Sequence, residues 1–120
     1  MQQPLTPVEA AAIILKACQE LGAQIYFDED VFVQTLRGSN THPVRFFNLK
    51  TLRCFGALSE LKAKQLLDGI LWLIEDGYID RVEEDRPLLL VAPNAFERIK
   101  TANLAEFASI LGVWKRTNNH

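Results

Sequence analysis

Residues 36–56 read Leu36-Arg37-Gly38-Ser39-Asn40-Thr41-His42-Pro43-Val44-Arg45-Phe46-Phe47-Asn48-Leu49-Lys50-Thr51-Leu52-Arg53-Cys54-Phe55-Gly56 and contain cations, short polar side chains and aromatics, but no acidic residue. That composition suits a surface facing phosphate. Gly38 follows a helical run and supplies the left-handed residue that ends a helix, while Ser39, Asn40 and Thr41 are short side chains suited to cap the next one. Backbone N–H groups at a helix start point outward and favour an anion, and Arg37 and Arg45 are spaced to flank the same spot. The plainer reading of the same residues is a loop between two helices, with solvated charges and caps that bind only their own backbone.

On the N-terminal side, Thr6-Pro7-Val8-Glu9 carries three helix-start signals: an N-cap threonine, proline at the first helical position, and a glutamate placed to reach back. The helix is expected to run to about residue 21, with Val8, Ala11, Ala12, Leu15 and Cys18 as its inward stripe and Gly22 as its stop. Alanines at 10–12 predict a close neighbour. Residues 24–27 read as a short extended segment, and Asp28, Glu29 and Asp30 crowd the start of a second helix, where negative charge suits the dipole. No His or Cys lies near these carboxylates to support a metal or acid–base role. Phe32 and Leu36 give the second helix its inward face.

On the C-terminal side, Pro43 suits another first helical position, and Phe46, Phe47 and Leu49 read as core anchors rather than a platform for stacked bases. Ser59 is the expected N-cap of the longest helix, residues 60–76, with Leu66, Leu67, Ile70, Leu73 and Ile74 inward. Lys62 and Lys64 at its start oppose the helix dipole, a small hint of an outside anion. Gly69 within it predicts close backbone approach. Gly77 stops this helix, residues 78–82 alternate as a strand, 83–86 form a polar turn, and 87–92 return as an edge strand bracketed by Pro87 and Pro93. A hairpin directly after a helix-turn-helix-like array is a winged helix, a mainly α chain with one small β-hairpin, α+β in class. Two further caps, at Asn94 and Asn103, start short helices, and the second, with Leu104, Phe107, Ala108 and Leu111 on one side, is expected to fold back.

The stretch resembles the winged-helix domain found C-terminal to the motor in RecQ-type DNA helicases, the RQC domain. The matching residues are Leu36-Arg37-Gly38-Ser39-Asn40, then Arg45, Leu52, Phe55-Gly56, Leu73-Ile74, Gly77-Tyr78 and the strand pair that follows. The resemblance covers roughly residues 8–100, and Leu-Arg-Gly-Ser is its most specific part. The domain is expected over residues 6–101; residues 1–5, without periodic pattern, read as a disordered lead, and 102–120, beyond the resemblance, as an amphipathic helix and a mobile tail that includes Trp114-Lys115-Arg116.

A chain of 120 residues with 48% hydrophobic content has one modest core. Its net charge of -2 and pI near 5.7 argue against a protein coated in basic charge. The charge is segregated, however: residues 34–65 hold six Lys or Arg against Glu60, and residues 68–86 hold seven acids against Arg81 and Arg86. An acidic domain can therefore still present one basic face. Cys18 and Cys54 make no disulfide framework, and with His42 and His120 alone there is no metal-ligand spacing and no cofactor is expected. No apolar run approaches the roughly 18 residues of a membrane span, so the expectation is an intracellular protein, in the cytoplasm or nucleoid of a bacterium or the nucleus of a eukaryote.

Neither a phosphate loop nor a Ser-His-Asp or Cys-His arrangement is present, so no enzyme activity is expected of this chain. The resemblance implies a non-catalytic module that grips duplex or forked DNA in replication, recombination or repair, either excised from a RecQ-type 3'–5' helicase or encoded alone. A helicase motor or a repair protein is the implied protein partner, with no small-molecule substrate and no membrane. The family's phosphate contacts carry over best to Arg37 and Ser39, with Asn40, Arg45 and Lys50 as neighbours. Two departures matter: Pro43 stands where the family often has a base, and Glu83-Glu84-Asp85-Arg86 lacks the aromatic tip that some members use to wedge a base pair. The competing reading is a winged-helix protein-interaction module that has lost DNA binding, which the acidic wing and low pI support.

Overall fold

A computed structural model of the chain describes residues 5–83 and 85–112. The elements in order are helices α1 (Pro7–Gly22), α2 (Glu29–Arg37) and α3 (His42–Phe46), a 3-10 turn (Leu49–Thr51), helix α4 (Ala63–Glu75), strands β1 (Ile79–Glu83) and β2 (Pro87–Val91), and helices α5 (Ala95–Thr101) and α6 (Ala105–Leu111). A mostly helical chain with one antiparallel hairpin is the expected winged-helix α+β fold.

Helix α1 starts where its caps direct. Thr6 Oγ1 accepts from the Glu9 N–H at 3.1 Å, and Glu9 Oε1 accepts from the Thr6 N–H at 3.0 Å. Its buried face is Ala10, Ala11, Ile14, Leu15, Ala17, Cys18 and Leu21, each large member contributing about 1.5–3 kcal/mol by burial. Val8, expected inside, is exposed, whereas Leu5 packs half-buried against the core; residues 1–4 lie outside the described ones. The small alanines let α2, α5 and β2 all pack on α1. The Cys18 Sγ donates to the Leu89 carbonyl at 3.4 Å, fixing α1 against β2.

Helix α2 is capped by Asp28, whose Oδ1 accepts from the Val31 N–H at 3.1 Å. It ends at Gly38 with φ 74°, and the Ser39 N–H donates back to the Gln34 carbonyl at 2.9 Å, a Schellman closure. Residues 24–27, expected to be extended, form no strand and simply carry Phe27 into the core, edge-on to Phe32 at 5.4 Å.

Helix α4 departs from expectation at its start. It begins at Ala63, with Lys62 as N-cap and Gln65 Oε1 accepting the Lys62 N–H at 3.0 Å. Leu58 and Leu61 are both drawn into the core by irregular turns, in which the Leu58 N–H donates to the Leu36 carbonyl at 2.9 Å and the Leu61 N–H donates to the Leu58 carbonyl at 3.1 Å. At 13 residues α4 is shorter than the 16-residue α1, so it is not the longest helix. Gly69 has the predicted close neighbour: a Cβ there would lie 2.8 Å from Leu111 Cδ2 and 3.4 Å from Phe107 Cε1. Helix α6 therefore folds back onto α4. Trp72 seals that contact, its Nε1 donating to Glu106 Oε1 at 3.2 Å while its ring stacks against Tyr78. The expected mobile tail, including Trp114, lies outside the described residues.

The hairpin pairs Ile79 with Val91 through to Glu83 with Pro87, and Asp85 and Arg86 lead into the second strand. Ile79 and Leu89 face the core, while Asp80, Arg81 and Leu90 are exposed.

Candidate nucleic-acid interface

The stretch 36–56 closes on itself. Gly38 and Gly56 both have φ 74°, and a Cβ on Gly38 would stand 3.1 Å from Gly56 Cα. A side chain at Gly38 would press on that backbone, and the left-handed conformation disfavours one further. The Gly56 N–H donates to the Thr35 carbonyl at 2.8 Å, so the end of α2 and the turn at 55–58 are stitched together. From α1, the Glu20 carboxylate accepts the backbone N–H groups of Arg53 at 2.9 Å and Cys54 at 3.0 Å, holding the loop's far limb. Sequence reasoning missed this clamp, because a glutamate late in a helix gives no local sign of a partner 33 residues away.

Of the expected phosphate-contacting residues, Arg37 is half-buried and its Nε donates to the Leu61 carbonyl at 2.8 Å. Its two Nη groups have no protein partner among the described residues. Arg45 is exposed and its Nη1 donates to the Asn40 carbonyl at 2.8 Å, so these two residues form one unit. Ser39 is half-buried with its hydroxyl unpartnered among the described residues, and Lys50 is exposed on the 3-10 turn without an ion pair there.

The helix-start part of the expectation is corrected. Thr41 stands at the N-cap of α3 but its hydroxyl donates to Gln34 Oε1 at 2.7 Å instead of capping. Pro43 occupies the second helical position, and α3 spans only five residues, too few for a useful dipole. Side-chain cations, not a helix end, give this face its sign.

A second correction concerns the aromatics. Leu49 is buried as expected, but Phe46 is 70% and Phe47 44% exposed. The helical spacing breaks at Asn48, whose φ of 56° turns Leu49 to the inward side that Val44 also occupies, while both phenylalanines stay on the outer side. Asparagine enters the left-handed region more readily than other side-chain-bearing residues, which was the available signal. The exposed rings are ordered on one another: His42 stacks on Phe46 at 5.7 Å, and Phe47 meets Phe46 edge-on at 4.9 Å.

Elsewhere, charges suspected of function have local partners. Lys64 pairs with Asp68 at 3.0 Å, weakening the hint of an anion at the start of α4. Glu29 binds Arg81 of the wing, with Arg81 Nε at 2.6 Å, and Arg81 also reaches Glu83 at 3.5 Å. Arg86 lies over the Tyr26 ring, 5.4 Å from its centroid. Glu83 and Asp85 are exposed at the wing turn, and Glu84 lies outside the described residues. Burial pushes the Cys18 thiol up to about 12, and burial with the Glu20 charge pushes Cys54 up to about 12, so neither offers a thiolate nucleophile near neutral pH. Among the described residues no group of His, Cys, Asp and Glu could hold a metal ion, and no helix is long and apolar enough to cross a membrane.

The family model of the RQC domain matches residues 8–105. No curated protein matches the chain.

Proposed function

Because the chain belongs to the RQC domain family, we propose that it is a non-catalytic module that grips duplex or forked DNA by its phosphates, in replication, recombination or repair. The observation that carries this reading is the closed loop at 36–56, which holds Ser39, Asn40, Arg45 and Arg37, whose Nη groups have no partner among the described residues, on a run with no carboxylate between Asp30 and Glu60. Contacts of this kind position a protein on DNA and carry no base information. A RecQ-type 3'–5' helicase motor, in the same polypeptide or as a separate subunit, is the fitting partner, because gripping a junction supplies no energy for unwinding it.

One observation favours a second reading. Glu83 and Asp85 are exposed at the wing turn, where phosphate would repel them, so a winged helix serving only protein contacts remains the competitor. Titration with blunt, forked and single-stranded DNA at several salt concentrations separates the two: the DNA reading requires binding that weakens as salt rises, and no binding at low salt leaves the protein-interaction reading.

A further inference from the structure

Among the described residues, the large exposed hydrophobic side chains are Val8, Tyr26, Phe46, Phe47 and Leu90, and the three aromatic ones belong to one surface. Phe47, Tyr26, Arg86, Pro87, Gln24 and Ile25 line a single groove of about 600 Å³ between the α3 end, the α1–α2 connection and the wing. His42 and Phe46 extend that surface along α3. The result is a path of rings, His42, Phe46, Phe47 and Tyr26, ending in the guanidinium of Arg86.

We propose that this ring path is a stacking surface for unpaired bases, and that it takes the single strand leaving a duplex held at the 36–56 loop. The inference rests on the phosphate-gripping reading for its duplex arm and adds a separate single-strand site. Three features favour a nucleic acid over a protein as occupant. The large exposed apolar side chains here are π-faced, with Ile25 and Pro87 as smaller aliphatic surface between them, and base–aromatic stacking needs only a π-face, whatever the sequence. The rings of α3 stand on the run that carries Arg45 and Lys50 and no carboxylate, so a strand's phosphates meet cations beside its bases. Arg86 at the groove's end supplies both a charge and a stacking plane. The opposing charge is Asp85, which lines the adjoining hollow with Tyr26 and Arg86 and marks the limit of the favourable surface. Because both phenylalanines are exposed, losing them leaves the core intact.

The test is fluorescence anisotropy on the whole chain with a blunt duplex, the same duplex carrying an unpaired tail, and the tail alone. Unaltered protein is expected to bind the tailed duplex about tenfold more tightly than the blunt one, from stacking of about one base. Phe46→Ala with Phe47→Ala should erase that difference while leaving blunt-duplex affinity unchanged. Phe46→Leu with Phe47→Leu, apolar but without π-faces, should behave like the alanine pair, and Phe47→Trp should keep the tail's effect. A tail that adds nothing to a bound duplex overturns the stacking surface and spares the phosphate-gripping reading. Tail binding without duplex binding does the reverse. Leucines that retain full tail affinity, no DNA binding of any kind, or sedimentation showing self-association that the alanine pair abolishes would each overturn the proposal, the last by making this face a contact between copies.

Discussion

Arg37 Nε lies 2.8 Å from the Leu61 carbonyl oxygen, so a residue expected to hold phosphate also ties the end of α2 to the residues entering α4. Its two roles separate by experiment. Arg37→Ala should cost about 1 kcal/mol of stability through the lost hydrogen bond, seen as a lower urea midpoint, and should also weaken DNA binding. Ser39→Ala with Lys50→Ala, whose side chains have no partner among the described residues, should weaken DNA binding with the midpoint unchanged.

Replacing Gly38 tests the loop's closure. Gly38→Ala meets a left-handed backbone penalty of about 1–2 kcal/mol and a backbone neighbour at 3.1 Å that cannot rotate away. Asparagine tolerates the conformation better but carries the same Cβ. If space dominates, Gly38→Asn should lose nearly as much stability as Gly38→Ala; recovery with asparagine would assign the effect to conformation.

At Gly69 the neighbours are side chains, so the response should depend on size. Alanine gains about 1 kcal/mol of helix propensity and displaces only the end of Leu111, making the net change small. Gly69→Val should cost about 1–3 kcal/mol by overpacking and detach α6, read as increased Trp72 solvent exposure in fluorescence.

The cysteines predict an alkaline limit. Burial holds both thiols protonated in the folded chain, up to about 12, whereas the unfolded thiols ionise near 9.0. The folded state then binds protons that the unfolded state has released, so this stabilisation is present below about pH 9 and is lost as pH rises toward about 12. Urea midpoints should fall across that window, and Cys18→Ala should flatten the fall even if it lowers stability throughout. Thiol-reactive reagent at neutral pH should label the native chain slowly and the urea-unfolded chain fast.

The winged-helix order was legible where a boundary had a local chemical cause, as with Thr6 and Glu9 at the start of α1, Gly38 at the end of α2 and Gly77 before the hairpin. Gly69 even announced its neighbour, since a glycine costs a helix stability unless something approaches it. What failed was periodicity across irregular backbone. Phe46, Phe47 and Leu49 satisfy a helical pattern that Asn48 interrupts, and Leu61 is anchored by a turn where a helix was expected. Long-range clamps such as Glu20 to Cys54 left no trace in the sequence, because neither partner's immediate surroundings require the other.

Whether the 36–56 loop grips DNA by its phosphates is read from the salt dependence of duplex affinity. Neutralising a few phosphates releases their counterions, so a plot of log affinity against log salt should be linear with a slope of about -2 to -5. Ser39→Ala with Lys50→Ala should make that slope shallower by about 1, the share of the one cation removed, and weaken unrelated duplex sequences equally. A folded chain that shows no duplex binding at low salt, or binding whose slope is unmoved by the substitution, would mean that the 36–56 loop does not hold phosphate.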